Sequence, residues 1–190
     1  MASILLTAPA VEPLVLADAK LYLRVEHDDD DALITALIAA ARMHIEMATR
    51  RALIAQEWRF ILHAWPADGR VILLRAPVRE VIAARVYDAD NVAHALDIEN
   101  FVVDPAAAPG VIAFPPWAVA APGRLLAGIE IDASLGYGDS ADDVPAPLVQ
   151  AIRMLIAHWY EHRAVAAETA HALLPAAVEA LIAPYRVLTL

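Results

Sequence analysis

Two stretches decide the fold: Asp28-Asp29-Asp30-Asp31-Ala32-Leu33-Ile34-Thr35-Ala36-Leu37-Ile38-Ala39-Ala40-Ala41-Arg42-Met43-His44-Ile45-Glu46-Met47-Ala48, and Glu57-Trp58-Arg59-Phe60-Ile61-Leu62-His63-Ala64. In the first, Leu33, Leu37, Ile38, Ala41, Ile45 and Ala48 recur at helical spacing. The aspartates ahead of them suit a helix start, because carboxylates accept the free backbone N–H groups of a first turn and complement the helix dipole. A hard-cation loop needs oxygens spaced around a turn, usually with a Gly, and none is here. The helix is expected to end near Thr49-Arg50-Arg51. In the second stretch the period falls to two. Trp58, Phe60, Leu62 and Ala64 alternate with Glu57, Arg59, Ile61 and His63, a strand with one drier face.

Working outward, Leu16 to Val25 reads as a short helix, with Ala17, Leu21 and Val25 four apart. Downstream, Pro66-Ala67-Asp68-Gly69 is a turn into Val71–Leu74, and Val81–Tyr87 is a strand closed by Asp88-Ala89-Asp90-Asn91. Weaker strands lie at Phe101–Val103 and Val111–Phe114. A last clear strand alternates Ile129, Ile131, Ala133 and Leu135 with Glu130, Asp132 and Ser134, and the turn Gly136-Tyr137-Gly138-Asp139 ends it. Pro145 and Pro147 open a helix striped by Leu148, Ile152, Leu155, Ile156 and Trp159. An alanine-rich connection, Ala164 to Leu174, leads to a short helix from about Pro175 to Ala183. The expected class is α+β: a helical bundle from the two ends of the chain with an inserted antiparallel β region. The absence of βαβ alternation argues against a doubly wound nucleotide fold. We expect one domain over 1–190, with 184–190 an extended C-terminal tail.

The 190 residues carry 60% hydrophobic side chains but only 6% aromatic ones, and the mean hydropathy is +0.51. A soluble domain usually has about 45–50% apolar residues, so some apolar surface is expected to be covered by other chains. The longest apolar runs, Ala32–Ala41 and Val111–Pro122, are interrupted by Thr35 and by Pro115-Pro116, short of the ~20 residues of a span. The start, Met1-Ala2-Ser3-Ile4-Leu5-Leu6, lacks the basic residues of a signal peptide. With no Cys, disulfides, thiolate metal sites and catalytic thiols are excluded, and a reducing compartment is suited. The net charge is -10 and the arginines are dispersed, which disfavours gripping nucleic acid through its phosphates.

The residues offering most chemistry are His158-Trp159-Tyr160-Glu161-His162, which satisfy the H-x-x-E-H pattern of inverted zinc peptidases. Two His four apart on a helix reach one metal, and the adjacent Glu can serve as general base. A catalytic zinc wants a third protein ligand, for which Glu168 and His171 are the nearest candidates. Against it stands a helix end with Trp159 as a core anchor and solvated polar neighbours. No Gly-x-Ser-x-Gly and no phosphate-binding loop occurs. We therefore expect no catalytic residue, metal or cofactor, and keep a zinc-dependent hydrolase using His158, Glu161 and His162 as the alternative of a different class. A soluble domain binding some other cytoplasmic protein is the third. The end of the chain, Pro184-Tyr185-Arg186-Val187-Leu188-Thr189-Leu190, is apolar and extended after a helix breaker. It either packs on its own domain or adds to a partner along a strand edge or groove.

Several stretches together resemble one family, the head–tail connector (adaptor) proteins of siphophages, prophages and gene transfer agents. They are Leu16–Val25 with the acidic run and Ala32-Leu33-Ile34; Thr49-Arg50-Arg51-Ala52-Leu53-Ile54 leading to Gln56-Glu57-Trp58; Leu135-Gly136-Tyr137-Gly138-Asp139 followed by Val144-Pro145; Ala157-His158-Trp159-Tyr160-Glu161; and Leu173-Leu174-Pro175 with Ala183-Pro184-Tyr185-Arg186. They keep the family's order across nearly the whole chain. Two positions depart: the family usually has Gly at the place of Arg50, which implies a different or strained helix end, and often Asn at the place of His162, which weighs against a zinc role.

The resemblance implies a structural adaptor rather than an enzyme, made in the bacterial cytoplasm and built into the neck of a phage-like particle. It implies a homo-oligomeric ring, commonly a dodecamer, beneath the portal protein, with a stopper or tail-completion protein on the tail side. Helices would pack side by side around the ring and the β region would face the next tail component. DNA would pass through the lumen without sequence-specific binding, and no membrane is involved. The segment Pro184, Tyr185, Arg186, Val187, Leu188, Thr189, Leu190 would reach the portal. Another neck role, stopper or tail terminator, is the near alternative.

Overall fold

The computed structural model describes residues 1–162 and 175–188. Its elements run β1 (Ala2–Thr7), α1 (Leu16–Leu23), α2 (Asp31–Thr49), β2 (Gln56–Leu62), β3 (Arg70–Leu73), β4 (Val78–Tyr87), β5 (Ala93–Ala95), β6 (Val102–Asp104), β7 (Gly110–Ala113), β8 (Ile129–Leu135), α3 (Ala146–Glu161) and α4 (Ala176–Ile182), with short 3-10 turns between them. The class is α+β, as the two periods require. The chain forms two compact units: a helical unit, Val11–Ile54 with Gly138–Arg186, and a sheet unit, Met1–Ala10 with Ala55–Tyr137 and Val187–Leu190.

In the helical unit, the apolar stripe of α2 (Ile34, Ile38, Ala41, Ile45) and that of α3 (Leu148, Ala151, Ile152, Leu155, Ile156) are buried, with Val178 and Ile182 of α4. α2 packs on α3, α3 on α4, and α1 on both α2 and α3. Each fully buried Ile or Leu contributes about 1.5–3 kcal/mol. A polar knot closes the end of α2. Arg42 donates from Nε to Glu12 Oε2 (2.7 Å) and from Nη1 to Glu46 Oε2 (2.9 Å), while Glu46 Oε1 accepts the backbone N–H of Leu53 (2.9 Å). By length and composition α2 is apolar enough to cross a membrane, contrary to the run-length reading above. Its apolar stripe is, however, already covered by α3 and carries the paired, buried Arg42 and Glu46.

The four aspartates do start α2, but their side chains do not cap it. Asp30 is the N-cap residue and makes no side-chain cap bond. Instead Lys20 Nζ donates to Asp28 Oδ1 and Asp31 Oδ1, both at 2.6 Å, and the Tyr160 hydroxyl donates to Asp30. The Lys20 hydrogen bond holds the Asp28 carboxyl below its usual range. At the other end, Arg50 itself takes the left-handed conformation, φ 57 and ψ 33. The helix thus stops where a glycine would stop it, with about 1–2 kcal/mol of backbone strain.

The sheet unit holds two antiparallel sheets, β1-β2-β8-β4-β5 and β3-β7-β6. Register explains the alternation. Phe60 pairs with Ile131 and Leu62 with Ile129 across β2 and β8, and Ala84 with Ile131 and Val86 with Ile129 across β4 and β8. All six are buried, so one face of the large sheet is dry, and the small sheet buries Val71, Leu73 and Ile112. The Pro66–Gly69 turn closes with Gly69 N–H on Pro66 O (3.1 Å) at a φ of 69. β1 and β5, the outer strands of the large sheet, are exposed along their whole length. Neither was expected: β1 has no polar–apolar alternation and β5 is three residues long.

Candidate assembly surfaces

The motif His158–His162 lies at the C-terminal end of α3. The two imidazoles stand 4.5 Å apart, centroid to centroid, and His162 Nδ1 sits 2.7 Å from the His158 carbonyl oxygen. His162 is therefore occupied with its own helix end. Trp159 meets His44 of α2 edge-on at 5.9 Å but is only half-buried, at the margin of the core it was expected to anchor. Among the described residues no three His, Asp or Glu side chains converge on a point where a metal could sit. Glu168 and His171 fall outside the described residues.

The outer face of α2 is uncharged. Ala32, Leu33, Ala36, Ala40, Met43 and Met47 follow one another along it, all exposed, with Thr35 beside them. The helix's only charged residues, Asp31, Arg42 and Glu46, are already paired by Lys20 and Glu12 or with each other. Nothing on that face repels a second apolar helix, and the small alanines allow close approach.

The C-terminal segment divides by residue. Pro184 is exposed; Tyr185 gives its carbonyl oxygen to Arg51 Nε (2.7 Å), and Arg186 Nη2 pairs with Glu179 Oε2 (2.6 Å). Val187 is 5% exposed, whereas Leu188 is 79% exposed. Thr189 and Leu190 fall outside the described residues. Val187 thus packs inward, as the first alternative for the tail has it, and Leu188 is left outward.

On the sheet unit, sequence reading missed a charged cluster on the polar face. Arg59 Nε and Nη2 donate to Asp132 Oδ1 and Oδ2 (2.7 and 2.9 Å), and Arg85 Nη1 and Nη2 donate to Glu130 Oε2 and Asp132 Oδ2 (3.1 and 3.0 Å). Burial pushes the Asp132 carboxyl up, but the Arg59 and Arg85 guanidiniums outweigh it and hold it below the usual carboxylate range. The same contacts raise Arg59 above its ordinary value. The signal was present: Arg59, Glu130 and Asp132 all fall on the polar parity of their strands. Which strands would be neighbours was not readable.

A family model described as the phage gp6-like head–tail connector protein matches residues 14–91. No curated protein matches the chain. Among solved structures, a chain in the virion of a native gene transfer agent particle is 30% identical, covering 100% of this chain and 97% of its own, with a TM-score of 0.82. The chain belongs to the head–tail connector family. Two further matches come from necks. One is the neck of an empty gene transfer agent particle computed with sixfold symmetry (29% identity, 100% and 97% coverage, TM-score 0.80). The other is the neck of a native particle computed with twelvefold symmetry (30%, 98% and 97%, TM-score 0.72). This connector is a structural component, and its family and neighbours carry no support for a hydrolase. The family model covers α1 to the turn after β4, so it includes the α2 face and excludes His158–His162.

Proposed function

We propose that this connector is the head–tail adaptor of a tailed-phage-like particle: a homo-oligomeric ring, dodecameric in the particle, docked on the portal and joining the DNA-filled head to the tail-side stopper or tail-completion protein. The observation that carries the reading is the near full-length similarity to a chain in a neck computed with twelvefold symmetry. Two physical features support it. A ring of identical copies is held by a heterologous interface, and copies that each carry a charge of -10 meet most readily over an uncharged face such as that of α2. A net acidic wall also lets DNA slide past without adhering. The ring assembles in the cytoplasm onto a preformed portal, and Pro184–Leu190 supplies the portal contact.

The test is electron microscopy of particles from the producing cell, with quantitative mass spectrometry of isolated necks. Twelve copies per portal in a ring between portal and tail are expected. Absence of the chain from necks, or a place at the far end of the tail, would overturn the reading and favour an unrelated role, and a place in the neck below the portal-bound ring would favour a stopper or a terminator.

A further inference from the structure

Between β7 and β8 the sheet unit carries the loop Pro115–Gly128, which turns three large apolar side chains to solvent. Trp117, Leu125 and Leu126 are 86, 93 and 70% exposed. Such side chains in a loosely held loop would fold back onto the domain. This loop is instead fixed from several sides. The Trp65 indole N–H donates to Ala120 O (2.8 Å), Gly123 N–H to Tyr87 O (2.8 Å), and Tyr87 N–H to Gly128 O (2.9 Å). The Arg124 guanidinium lies 3.6 Å from the centre of the Tyr87 ring and donates to Ala127 O and Asn91 Oδ1. Ala127 N–H reaches His63 Nδ1 (2.9 Å). Gly123 runs so close to the Asp88–Ala89 backbone that a Cβ there would sit 2.2 Å from Ala89 N. Rigid support beneath solvent-facing Trp and Leu side chains is the arrangement that minimises the ordering cost of association.

Charge says what fits it. The segments touching the loop bring Asp68, Asp88 and Asp90, and Glu99 lines the cavity beside Pro115. Arg124 keeps its charge, because its contacts with Tyr87, Ala127 and Asn91 are all to neutral groups, and Arg70 is the cation of the cavity, so two cations stand among four carboxylates. A net acidic surround on a chain that carries a charge of -10 disfavours a second copy of the same charge and an anionic lipid surface. We infer that this loop is a preformed anchor for a different protein, one whose contact surface is an apolar pocket edged by Lys and Arg. The inference rests on the adaptor reading, in which that protein is a neighbour in the neck.

The experiment places a photo-cross-linking benzoylphenylalanine at Leu125 in the full chain, assembles particles in the producing cell, and sequences the cross-linked peptides. A cross-link to another particle protein, in a peptide bearing Lys or Arg, is expected. The double variant Leu125→Ser, Leu126→Ser, and separately Asp90→Lys, should leave the amount of adaptor on heads unchanged and cut the joined particle count at least tenfold. The serine variant's melting temperature should match the wild type, since neither leucine is buried. Cross-links only to copies of this chain, or normal joining by the serine variant, would overturn the inference alone. So would flotation of the wild type, but not the serine variant, with phosphatidylcholine vesicles. Absence of the wild-type chain from necks would overturn the adaptor reading and this inference with it.

Discussion

Arg59 of β2 and Asp132 of β8 stand directly opposite each other and share two parallel hydrogen bonds, Nε to Oδ1 at 2.7 Å and Nη2 to Oδ2 at 2.9 Å. Arg85 of β4 grips the same carboxylate from the other side. One aspartate thus ties together the three central strands of the large sheet. Its neutral variant Asp132→Asn keeps the shape and leaves the two guanidiniums with Glu130 as the anion they share. A loss of about 2 kcal/mol at pH 7 is expected, below the ~3–5 kcal/mol of a fully buried pair because both arginines remain partly in water. The sign with pH is fixed by the lowered carboxyl. Its stabilisation is complete above the unfolded value near 3.8 and is lost as pH falls through the lower folded value. Denaturation curves of wild type and variant should therefore differ at pH 7 and converge below about pH 4. A gap that stays constant down to pH 2 would contradict this account.

The two faces of α2 make opposite forecasts. Ile45 is fully buried, so Ile45→Ala should cost roughly 2–5 kcal/mol through lost transfer energy and the cavity left behind. Met43 and Met47 are exposed, and the double change Met43→Lys, Met47→Lys should leave the melting temperature within about 2 °C while placing cations on the face assigned to ring closure. Rings or neck incorporation at wild-type levels in that variant would remove α2 from the subunit interface.

How much of this was legible follows from the range of each signal. The helices α2 and α3 and the strands β2, β4 and β8 were readable because their own side chains repeat at 3.6 or 2 residues, whereas α1 stands where expected but turns the repeat read there, Ala17 and Leu21, to solvent and buries only Ala19. Arg50 was readable as a helix end, and of the two readings that the family's glycine there left open, a different end or a strained one, its φ of 57 is the strained one. β1 was missed because Ile4, Leu5 and Leu6 are exposed together and give no period. The Arg59–Asp132–Arg85 cluster depends on β8 lying between β2 and β4, a long-range pairing that no local pattern encodes. The outward aim of Leu125 and Leu126 likewise depends on braces from Tyr87, Asn91 and His63, far away along the chain.

Gly138 is required by a close approach. A Cβ at this position would sit 2.2 Å from the Asp143 carboxyl carbon and 2.4 Å from its Cβ. That carboxylate accepts both the backbone N–H and the hydroxyl of Ser140 at 2.9 Å, which holds it below its usual range. Gly138→Ala must push Asp143 off Ser140. A loss of about 1–3 kcal/mol is expected from overpacking, and Gly138→Ala combined with Asp143→Ala should recover part of it. Two additive losses would mean that Gly138 serves something other than this contact.

The histidines of α3 give a direct chemical test. With His162 Nδ1 turned to the His158 carbonyl, purified protein dialysed against micromolar zinc should hold well under 0.1 zinc per chain by elemental analysis. The double variant His158→Ala, His162→Ala should leave particle assembly unchanged. Stoichiometric zinc, retained against a weak chelator and lost in that variant, would revive the metal site.

The C-terminal segment separates folding from docking only if the right residue is changed. Removing Val187–Leu190 deletes a buried Val187 and mixes the two effects, because a buried valine side chain contributes about 1.5–3 kcal/mol on its own. Leu188 is outward-facing, so Leu188→Asp adds a charge where there is no internal packing to disturb. The variant should melt with the wild type. On a portal contact, however, an unpaired carboxylate entering an apolar site costs several kcal/mol, enough to lower occupancy of heads by more than tenfold at limiting concentration. Heads purified from cells carrying Leu188→Asp should then lack the adaptor and accumulate without tails. Normal adaptor content on those heads would show that the portal is held elsewhere, with the uncharged face of α2 and the outer strand β1 as the next surfaces to change.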